Sequence, residues 1–398
     1  MSQFSAADPI VFLSTARTPM GGMQGSLADV SATDLGATAV RAAVERAGVD
    51  GAAIDRIYMG CVLPAGLGQA PARQAAIKAG LPASVQATTV NKVCGSGMQT
   101  VIMGAEALAS GTVDLIVAGG MESMTNAPYL LKKHRSGARI GHDTAYDHMF
   151  LDGLEDAYEA GRAMGTFAQD TANEYQLTRA AQDDYSIESL RRAKAAIDSG
   201  AFAAEIVAVT VKSRAGETVV DTDEAPGKGR PDKIPGLKPA FAKDGTITAA
   251  TSSSISDGAA AVVLTRLSEA ERIGATPVAR IVAVAAHAQA PKDFTTAPVG
   301  AINKLLANAG WSIADVDLFE VNEAFACVAM FAMHDLGIPH DKINVNGGAT
   351  ALGHPIGASG TRIIVTLINA LKTQGKKRGV ASLCIGGGEA TALAVELI

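Results

Sequence analysis

The sequence predicts an α/β protein built from two similar halves. Residues 35–60 and 297–322 align without a gap at an offset of 262 positions, and both run from a helical apolar pattern through Ala-Gly to a β-rich segment. Apolar runs that fit buried strands alternate with helical patterns in each half, as expected when helices are layered on a sheet. Because the repeat is long and occurs only twice, we expect a duplicated domain rather than a solenoid.

The similarity extends along both halves. Corresponding segments are 95–108 with 357–371 and 114–123 with 380–390, and strands are expected near the start of each half at 9–13 and 278–285. The expected fold is therefore a layered α/β arrangement in which each half contributes strands and helices in the same order.

Residues 125–251, between these repeats, differ in composition. Charged residues occupy 35 of the 127 positions, about twice the density in the rest of the chain, so we expect an excursion over the surface. Its segment 178–200 predicts a helix capped by Thr178, and 222–236 predicts a loop from its Pro and Gly content. The expected domains are an N-terminal half formed by 1–124 and 252–275, an inserted loop domain at 125–251 and a C-terminal half at 276–398.

Composition limits the classes of function. The chain has 398 residues, 48% hydrophobic content and a formal net charge of −6, which argues against binding nucleic acid or an anionic membrane. No apolar run approaches the ~20 residues of a membrane span, and the first residues lack the pattern of a secretory or transit peptide. The four widely spaced cysteines fit a reducing compartment, so we expect a cytoplasmic protein.

Cys94 raises the first question about chemistry, because it directly precedes Gly-Ser-Gly and a helical pattern. At a helix N-terminus, unpaired N–H groups and the positive end of the helix dipole lower the pKa of a thiol and favour a nucleophilic thiolate. Most free cysteines are instead small packing residues, and the motif alone leaves both interpretations open. Cys61 and Cys327 stand among apolar neighbours and are expected in the core.

Three further stretches are unusually polar or glycine-rich. His354 occupies the repeat position of the turn that holds Cys94, which would suit a base facing a nucleophile, although a loop histidine is more often structural. Cys384 ends an apolar strand and precedes three glycines, a turn whose N–H groups could stabilise an oxyanion or have no function at all. Asn322 and Glu323 interrupt apolar sequence and need polar partners or a bound water.

These motifs together resemble those of one family. NKVCGSG, GGMESM, NEAFA, GGATALGHPIGASG and CIGGGEA, in this order and spacing, are similar to the motifs of the thiolases, specifically the acetyl-CoA C-acetyltransferases. The resemblance covers essentially the whole chain. It implies a thiolase fold of two βαβαβαββ halves with a loop domain inserted in the first. It also implies reversible ping-pong condensation of two acetyl-CoA molecules to acetoacetyl-CoA and CoA.

The resemblance also implies individual roles. Cys94 would attack the thioester and carry the acetyl group, His354 would deprotonate Cys94, and Cys384 would exchange the proton at the α-carbon of the second acetyl-CoA. The amides of Cys94 and Gly386 would form one oxyanion hole, and His354 with a water held by Asn322 would form the other. CoA is substrate and product, and neither a metal nor another cofactor is expected.

For CoA binding, the resemblance implies that Ser253 and Met164 contact the pantetheine arm. It also implies that Phe294 borders the acyl pocket and that basic residues such as Lys228 and Arg230 meet the phosphates. Two positions depart from many relatives: Ala163 replaces a histidine near the pantetheine, and Gly227 replaces an arginine that meets the phosphates. Lys228, Arg230 or Lys233 could take over the latter role.

The sequence is compatible with several alternatives. A 3-ketoacyl-CoA thiolase of broader chain length, acting in fatty-acid β-oxidation, would use the same residues. A non-catalytic acyl-CoA-binding protein of this fold would be expected to lack Cys94, His354 or Cys384, all of which are present. A ketoacyl synthase would not combine GHP with CIGGG. The basic cluster 132–135 falls where thiolases form a tetramerisation loop, so we expect a homotetramer, with a solvated run of charges as the alternative.

Overall fold

A computed structural model describes residues 4, 7–213 and 216–398. Its strands are β1 (Ile10–Arg17), β2 (Gly21–Gly22), β3 (Arg56–Gly60), β4 (Gln86–Val90), β5 (Leu115–Ser123), β6 (Tyr129–Leu130), β7 (Tyr146–Asp147), β8 (Val209–Ser213), β9 (Gly216–Val220), β10 (Ser256–Arg266), β11 (Ala279–Ala288), β12 (Leu318–Val321), β13 (Arg378–Ile385) and β14 (Glu389–Leu397). Its helices are α1 (Ala32–Ala47), α2 (Pro71–Lys78), α3 (Ser96–Ala109), α4 (Met164–Glu174), α5 (Arg179–Asp198), α6 (Glu224–Lys228), α7 (Leu267–Ile273), α8 (Ala297–Ala309), α9 (Ala326–Leu336), α10 (Ala349–Leu352) and α11 (Ile356–Thr373).

The order of strands in the large sheet confirms the duplicated α/β fold. In the described ranges, the sheet runs β12-β13-β14-β11-β1-β10-β5-β3-β4, and β2 pairs with β10. Outward from the centre, β1-β10-β5-β3 in one half mirrors β11-β14-β13-β12 in the other. The halves join through a short antiparallel pairing of β1 with β11. Corresponding helices therefore occupy equivalent places on each half.

Three apolar clusters show how the helices are layered. Helices α1 and α2 pack on the first half, and α8 and α9 pack on the second half. Helices α3 and α11 lie between the halves, in a cluster that includes strands from both. Residues 356–371 of α11 are all buried, which fits its largely apolar sequence because a helix surrounded by protein needs no polar face.

Helices α3 and α11 cross closely because small residues stand at their contact. A Cβ atom added to Gly97 would lie 2.8 Å from the backbone nitrogen of Thr361, and one added to Gly360 would overlap the backbone nitrogen of Met98. Larger residues would force the helices apart, since protein interiors leave little room for displacement. The two helix N-termini are thereby held near each other.

The inserted segment contains α4, α5, α6 and the hairpins β6-β7 and β8-β9. The helix predicted at 178–200 is present as α5, and the Thr178 hydroxyl accepts a hydrogen bond from the Ala181 N–H as expected of an N-cap. The prediction of a loop at 222–236 is wrong in part. That stretch forms α6 and a 3₁₀ turn at Pro231–Gly236, because proline is well suited to the first position of a helical turn.

In the described ranges, no helix combines the length and apolar character needed to cross a membrane.

A buried ion-pair network attaches the inserted segment to the sheet. Arg17 on β1 is fully buried, and its guanidinium donates to Glu205 at 2.6 Å and to both oxygens of Asp223 at 2.7 and 2.9 Å. Burial of the charges opposes this arrangement, but the short bonds and the fork geometry compensate it. The pKa of Arg17 lies above its usual range because both carboxylates favour the charged form.

We expect Arg17→Met to lower the free energy of unfolding by about 3–5 kcal/mol, because Glu205 and Asp223 would remain buried without their cation. Urea unfolding followed by circular dichroism measures the change. The matched control is Arg272→Met, since Arg272 pairs with Glu269 at the solvent-exposed surface and its loss should have no measurable effect. Equal stability of the two variants would contradict the importance of this network.

Candidate active site

Cys94 lies in the loop between β4 and α3, two residues before the helix begins. The loop is tightly held: the Ser96 hydroxyl accepts a hydrogen bond from the Lys92 N–H at 2.8 Å and donates one to the Val93 carbonyl at 2.6 Å. Val93 has a φ of 45°, a left-handed conformation that is strained for a β-branched residue. The strained turn holds the half-buried Cys94 at the N-terminal end of α3.

His354 occupies the equivalent place in the second half, two residues before α11. Its Nδ1 lies 2.5 Å from the hydroxyl oxygen of Ser359, and that hydroxyl donates to the Pro355 carbonyl at 2.9 Å. A hydroxyl has only one hydrogen, so Nδ1 must be the donor in its bond with Ser359. The other ring nitrogen, Nε2, is then left with a free lone pair, and this buried atom has no hydrogen-bond partner within the described residues.

Burial sets the protonation of both groups. Desolvation raises the pKa of the Cys94 thiol to about 11, although the backbone N–H groups of Gly386 and Cys94 favour the thiolate. Burial, and then the positive charge of Arg362, lowers the pKa of His354 to about 3. The direction expected for Cys94 from the helix N-terminus is therefore reversed, because loss of water outweighs the dipole. At neutral pH the resting pair is a thiol and a neutral imidazole.

Cys384 and Gly386 lie where β13 ends. Cys384 is buried, and desolvation followed by the charges of Cys94 and Cys327 raises its pKa well above the usual range. Gly386 and Cys94 line one cavity, and the Gly386 N–H favours the Cys94 thiolate. The glycine-rich turn is therefore placed beside the candidate nucleophile.

Asn322 and Glu323 follow β12 and have separate environments. The Glu323 carboxylate accepts hydrogen bonds from the hydroxyls of Tyr185 at 2.9 Å and Ser189 at 2.8 Å, which ties the inserted segment to the second half. The Asn322 side-chain oxygen accepts a bond from Arg362 at 3.3 Å. Its Nδ2 is buried and has no partner in the part of the chain that the structure describes.

A cavity of about 260 Å³ brings together six of the residues singled out from the sequence. These are Cys94, Met164, Ser253, Phe294, His354 and Gly386. Much of the remaining wall is aromatic or aliphatic and includes Phe150, Phe241 and Phe325. The cavity therefore combines a mostly apolar lining with a few convergent polar groups, the character of a small-molecule site. Cys384 and Asn322 are buried and are not among the residues that line it.

A second cavity of similar size adjoins the first through Ser252, which lines both. Arg230 and Lys233 line this second cavity, so two of the three candidate phosphate-binding residues lie there. Lys228 lines neither cavity. Its ammonium pairs with Glu224, a carboxylate that also accepts hydrogen bonds from the hydroxyl and N–H of Ser26.

Glu122, which lies at the end of β5 in the GGMESM motif, was not singled out from the sequence. Its buried carboxylate accepts backbone N–H bonds from Val62 at 3.0 Å, Leu63 at 3.1 Å and Gly357 at 2.8 Å. Desolvation raises its pKa to about 7, against the effect of these donors. Glu122 therefore anchors the start of α11, next to His354. An acidic residue that ends an apolar strand was the available signal.

Ser359 and Arg362 were also missed, and both lie on α11 after His354. Their signal is weak, because a serine and an arginine in a helical pattern ordinarily face solvent. Among residues 4, 7–213 and 216–398, no three His, Cys, Asp or Glu side chains are grouped to hold a metal ion.

Models of a known family match nearly the whole chain. The thiolase N-terminal domain matches residues 10–268, and the thiolase C-terminal domain matches residues 275–397. The chain is 49% identical over 392 residues to acetyl-CoA acetyltransferase 2 of Arabidopsis thaliana, covering 98% of this chain and 97% of that protein. It is 49% identical over 388 residues to the acetyl-CoA acetyltransferase of Escherichia coli K12, covering 97% and 98%.

Solved structures agree with the sequence comparisons. The Acat5 thiolase of Ascaris suum in complex with coenzyme A superposes with a TM-score of 0.93 at 41% identity, covering 98% of this chain and all of that one. The acetyl-CoA acetyltransferase of Bacillus anthracis gives a TM-score of 0.96 at 38% identity, covering 98% and 99%. On the evidence of both halves, the chain belongs to the thiolase family.

Proposed function

We propose that this chain is an acetyl-CoA C-acetyltransferase, an acyltransferase that interconverts two acetyl-CoA molecules with acetoacetyl-CoA and CoA through an acetyl-Cys94 intermediate. The observation that carries the proposal is the cavity shared by the Cys94 thiol and His354, whose Nε2 has a free lone pair. The names of the similar proteins from Arabidopsis thaliana and Escherichia coli agree with it.

In the first half-reaction, His354 Nε2 accepts the proton of the Cys94 thiol as the sulfur attacks the carbonyl carbon of acetyl-CoA. A carbon–sulfur bond to Cys94 forms and the bond to CoA breaks, and the CoA thiolate leaves with the proton from His354. The N–H groups of Cys94 and Gly386, which favour the thiolate form of Cys94, stabilise the oxyanion of the tetrahedral intermediate. Dividing the reaction at a thioester replaces one difficult step by two easier ones.

In the second half-reaction, Cys384 first loses its thiol proton to solvent, and the thiolate then takes the α-proton of a second acetyl-CoA. The resulting enolate carbon attacks the acetyl carbonyl, a carbon–carbon bond forms and the bond to Cys94 breaks. Cys94 leaves as a thiolate and regains one proton from solvent, so both cysteines end the cycle as thiols. The raised pKa of Cys384 suits this role, because a strong base is needed for a weak carbon acid. Thiolysis follows the same steps in reverse.

Enolate stabilisation requires a hydrogen on His354 Nε2, the opposite tautomer from the resting one. Rotation of the Ser359 hydroxyl to donate to Nδ1 would permit this change, because a serine hydroxyl can act as donor or acceptor. The second donor would be a water held by the Nδ2 group of Asn322. Since the thioester substrate supplies the activated acyl group, no further cofactor is needed.

The cavity lining favours short acyl groups. Phe325 lies between Phe241 and Phe294, with ring centroids 5.8 and 6.5 Å away in edge-to-face arrangements. These packed rings restrict the space beside Cys94, which supports acetyl and acetoacetyl groups over long 3-ketoacyl chains. Next to them, Ser253 and Met164 line the expected path of the pantetheine arm, and Arg230 lies in the adjoining cavity at the expected phosphate end.

We also propose a cytoplasmic homotetramer. The inserted segment exposes Tyr129, Leu131 and Ile140 around the basic cluster 132–135, and exposed apolar side chains grouped in this way favour contact with another copy. All four cysteines are free thiols, which fits a reducing compartment.

The intermediate can be tested by intact-protein mass spectrometry after brief exposure to acetyl-CoA. We expect one acetyl adduct that maps to Cys94, and loss of at least ~10³-fold in acetoacetyl-CoA thiolysis for Cys94→Ser because the nucleophile is weakened. Cys327→Ala, which alters a buried cysteine that does not line the cavity, should retain the adduct on Cys94. An adduct on another residue, or faster thiolysis of a long 3-ketoacyl-CoA than of acetoacetyl-CoA, would contradict the proposal.

The protonation of the resting pair predicts a pH dependence. Because the pKa of Cys94 is raised to about 11, the thiolate fraction grows about tenfold per pH unit across the range from 7 to 10. The rate of Cys94 alkylation by iodoacetamide, measured without CoA by peptide mapping, should therefore rise throughout this range. A plateau below pH 8 would instead indicate a preformed thiolate–imidazolium pair.

The tetramer can be tested by size-exclusion chromatography with multi-angle light scattering. We expect the mass of four chains for the wild type, and a smaller species for Tyr129→Asp/Leu131→Asp, because charge would replace the apolar contact. A smaller species for the wild type itself would refute the assembly.

A further inference from the structure

Arg362 is an arginine in the middle of the apolar core, on the second turn of α11. It is fully buried, and its guanidinium donates to the carboxylate of Glu320 at 3.4 Å and to the side-chain oxygen of Asn322 at 3.3 Å. A buried charge is retained only where its partners compensate the loss of water. Glu320 compensates this loss only in part, because burial raises the pKa of its carboxyl group to about 8. The bond to Asn322 extends from the helix toward the candidate active site.

The chemistry of these two groups fixes the orientation of the Asn322 amide. A guanidinium has only donors, so the amide must present its oxygen to Arg362 and turn its NH₂ group away. The backbone of Asn322 is also fixed, because its N–H donates to the Ser382 carbonyl at 3.0 Å. Within the described chain, the buried Nδ2 of Asn322 has no hydrogen-bond partner, and neither has the buried Nε2 of His354.

We propose that Arg362 is a positioning residue for the enolate step: it holds Asn322 with its NH₂ group available to the water that faces the enolate oxygen. This inference rests on the proposed function. It assigns Arg362 no contact with substrate, and its larger effect falls on the half-reaction in which the enolate forms. The charge of Arg362 also lowers the pKa of His354, so acetyl transfer depends on Arg362 to a smaller extent. Acetyl transfer between Cys94 and CoA depends on the other oxyanion hole and needs no Asn322.

Two assays separate these half-reactions. Exchange of labelled CoA into acetyl-CoA requires only acetyl transfer to and from Cys94, whereas acetoacetyl-CoA cleavage also breaks a carbon–carbon bond and releases an enolate. For Arg362→Met we expect exchange within about threefold of the wild-type rate and cleavage lowered by about 10²-fold, the usual effect of losing one oxyanion donor. Thermal unfolding confirms that the variant is folded under the assay conditions.

A double-mutant cycle tests whether Arg362 acts through Asn322. If it does, Arg362→Met/Asn322→Ala should cleave acetoacetyl-CoA no more slowly than Asn322→Ala alone, because the group that Arg362 positions is already absent. Multiplication of the two losses would overturn the inference. So would an equal loss of exchange and cleavage in Arg362→Met.

Arg17→Lys is the matched control for disturbing a buried arginine, because Arg17 hydrogen-bonds to Glu205, Asp223 and the Thr18 carbonyl and not to Asn322. It should change both rates in the same proportion.

If Arg362→Met does not fold, Arg362→Lys replaces it, since lysine keeps the charge beside Glu320 but lacks the fork that reaches Asn322. The same selective loss, of smaller size, is expected. Wild-type enzyme without exchange activity would instead refute the proposed function.

Discussion

The close crossing of α3 and α11 is the constraint on which the rest of the site depends. Gly97 and Gly360 allow the two helices to approach until backbone meets backbone. Since Cys94 and His354 each precede their helix by two residues, the crossing determines where both side chains lie. Glu122 reinforces it by binding the backbone on both sides, at the loop after β3 and at the first turn of α11.

Exclusion of water gives the site its chemical character. The same burial that raises the pKa of Cys94 and Cys384 lowers that of His354, so all three groups are neutral at rest. Charge appears there only when substrate arrives, and the amide donors are already in place to receive it. The permanent charge of Arg17 is instead held in a paired network, where the guanidinium faces the carboxylates of Glu205 and Asp223.

The sequence was sufficient to predict the architecture, because hydrophobic periodicity and the internal repeat are properties of the chain itself. It also identified the side chains that meet in the cavity, since Cys94, His354 and Gly386 stand in distinctive local motifs. It could not predict which distant groups pair. The bond from His354 to Ser359, the bond from Arg362 to Asn322 and the pairing of Lys228 with Glu224 arise only when the elements are packed. The predicted direction of the pKa shift of Cys94 was wrong for the same reason, because the extent of desolvation is a property of the folded molecule.

The mirrored strand order has an evolutionary consequence. Two identical subunits related by a twofold axis would place the same residue before both central helices, so a cysteine would face a cysteine. Joining the copies in one chain removes that restriction and allows each half to mutate independently. The cysteine before one helix could then serve as the nucleophile and the histidine before the other as the base, while the shared backbone geometry kept the two side chains facing each other. Asymmetry of function is thus available to this fold only because its symmetry lies within a single gene product.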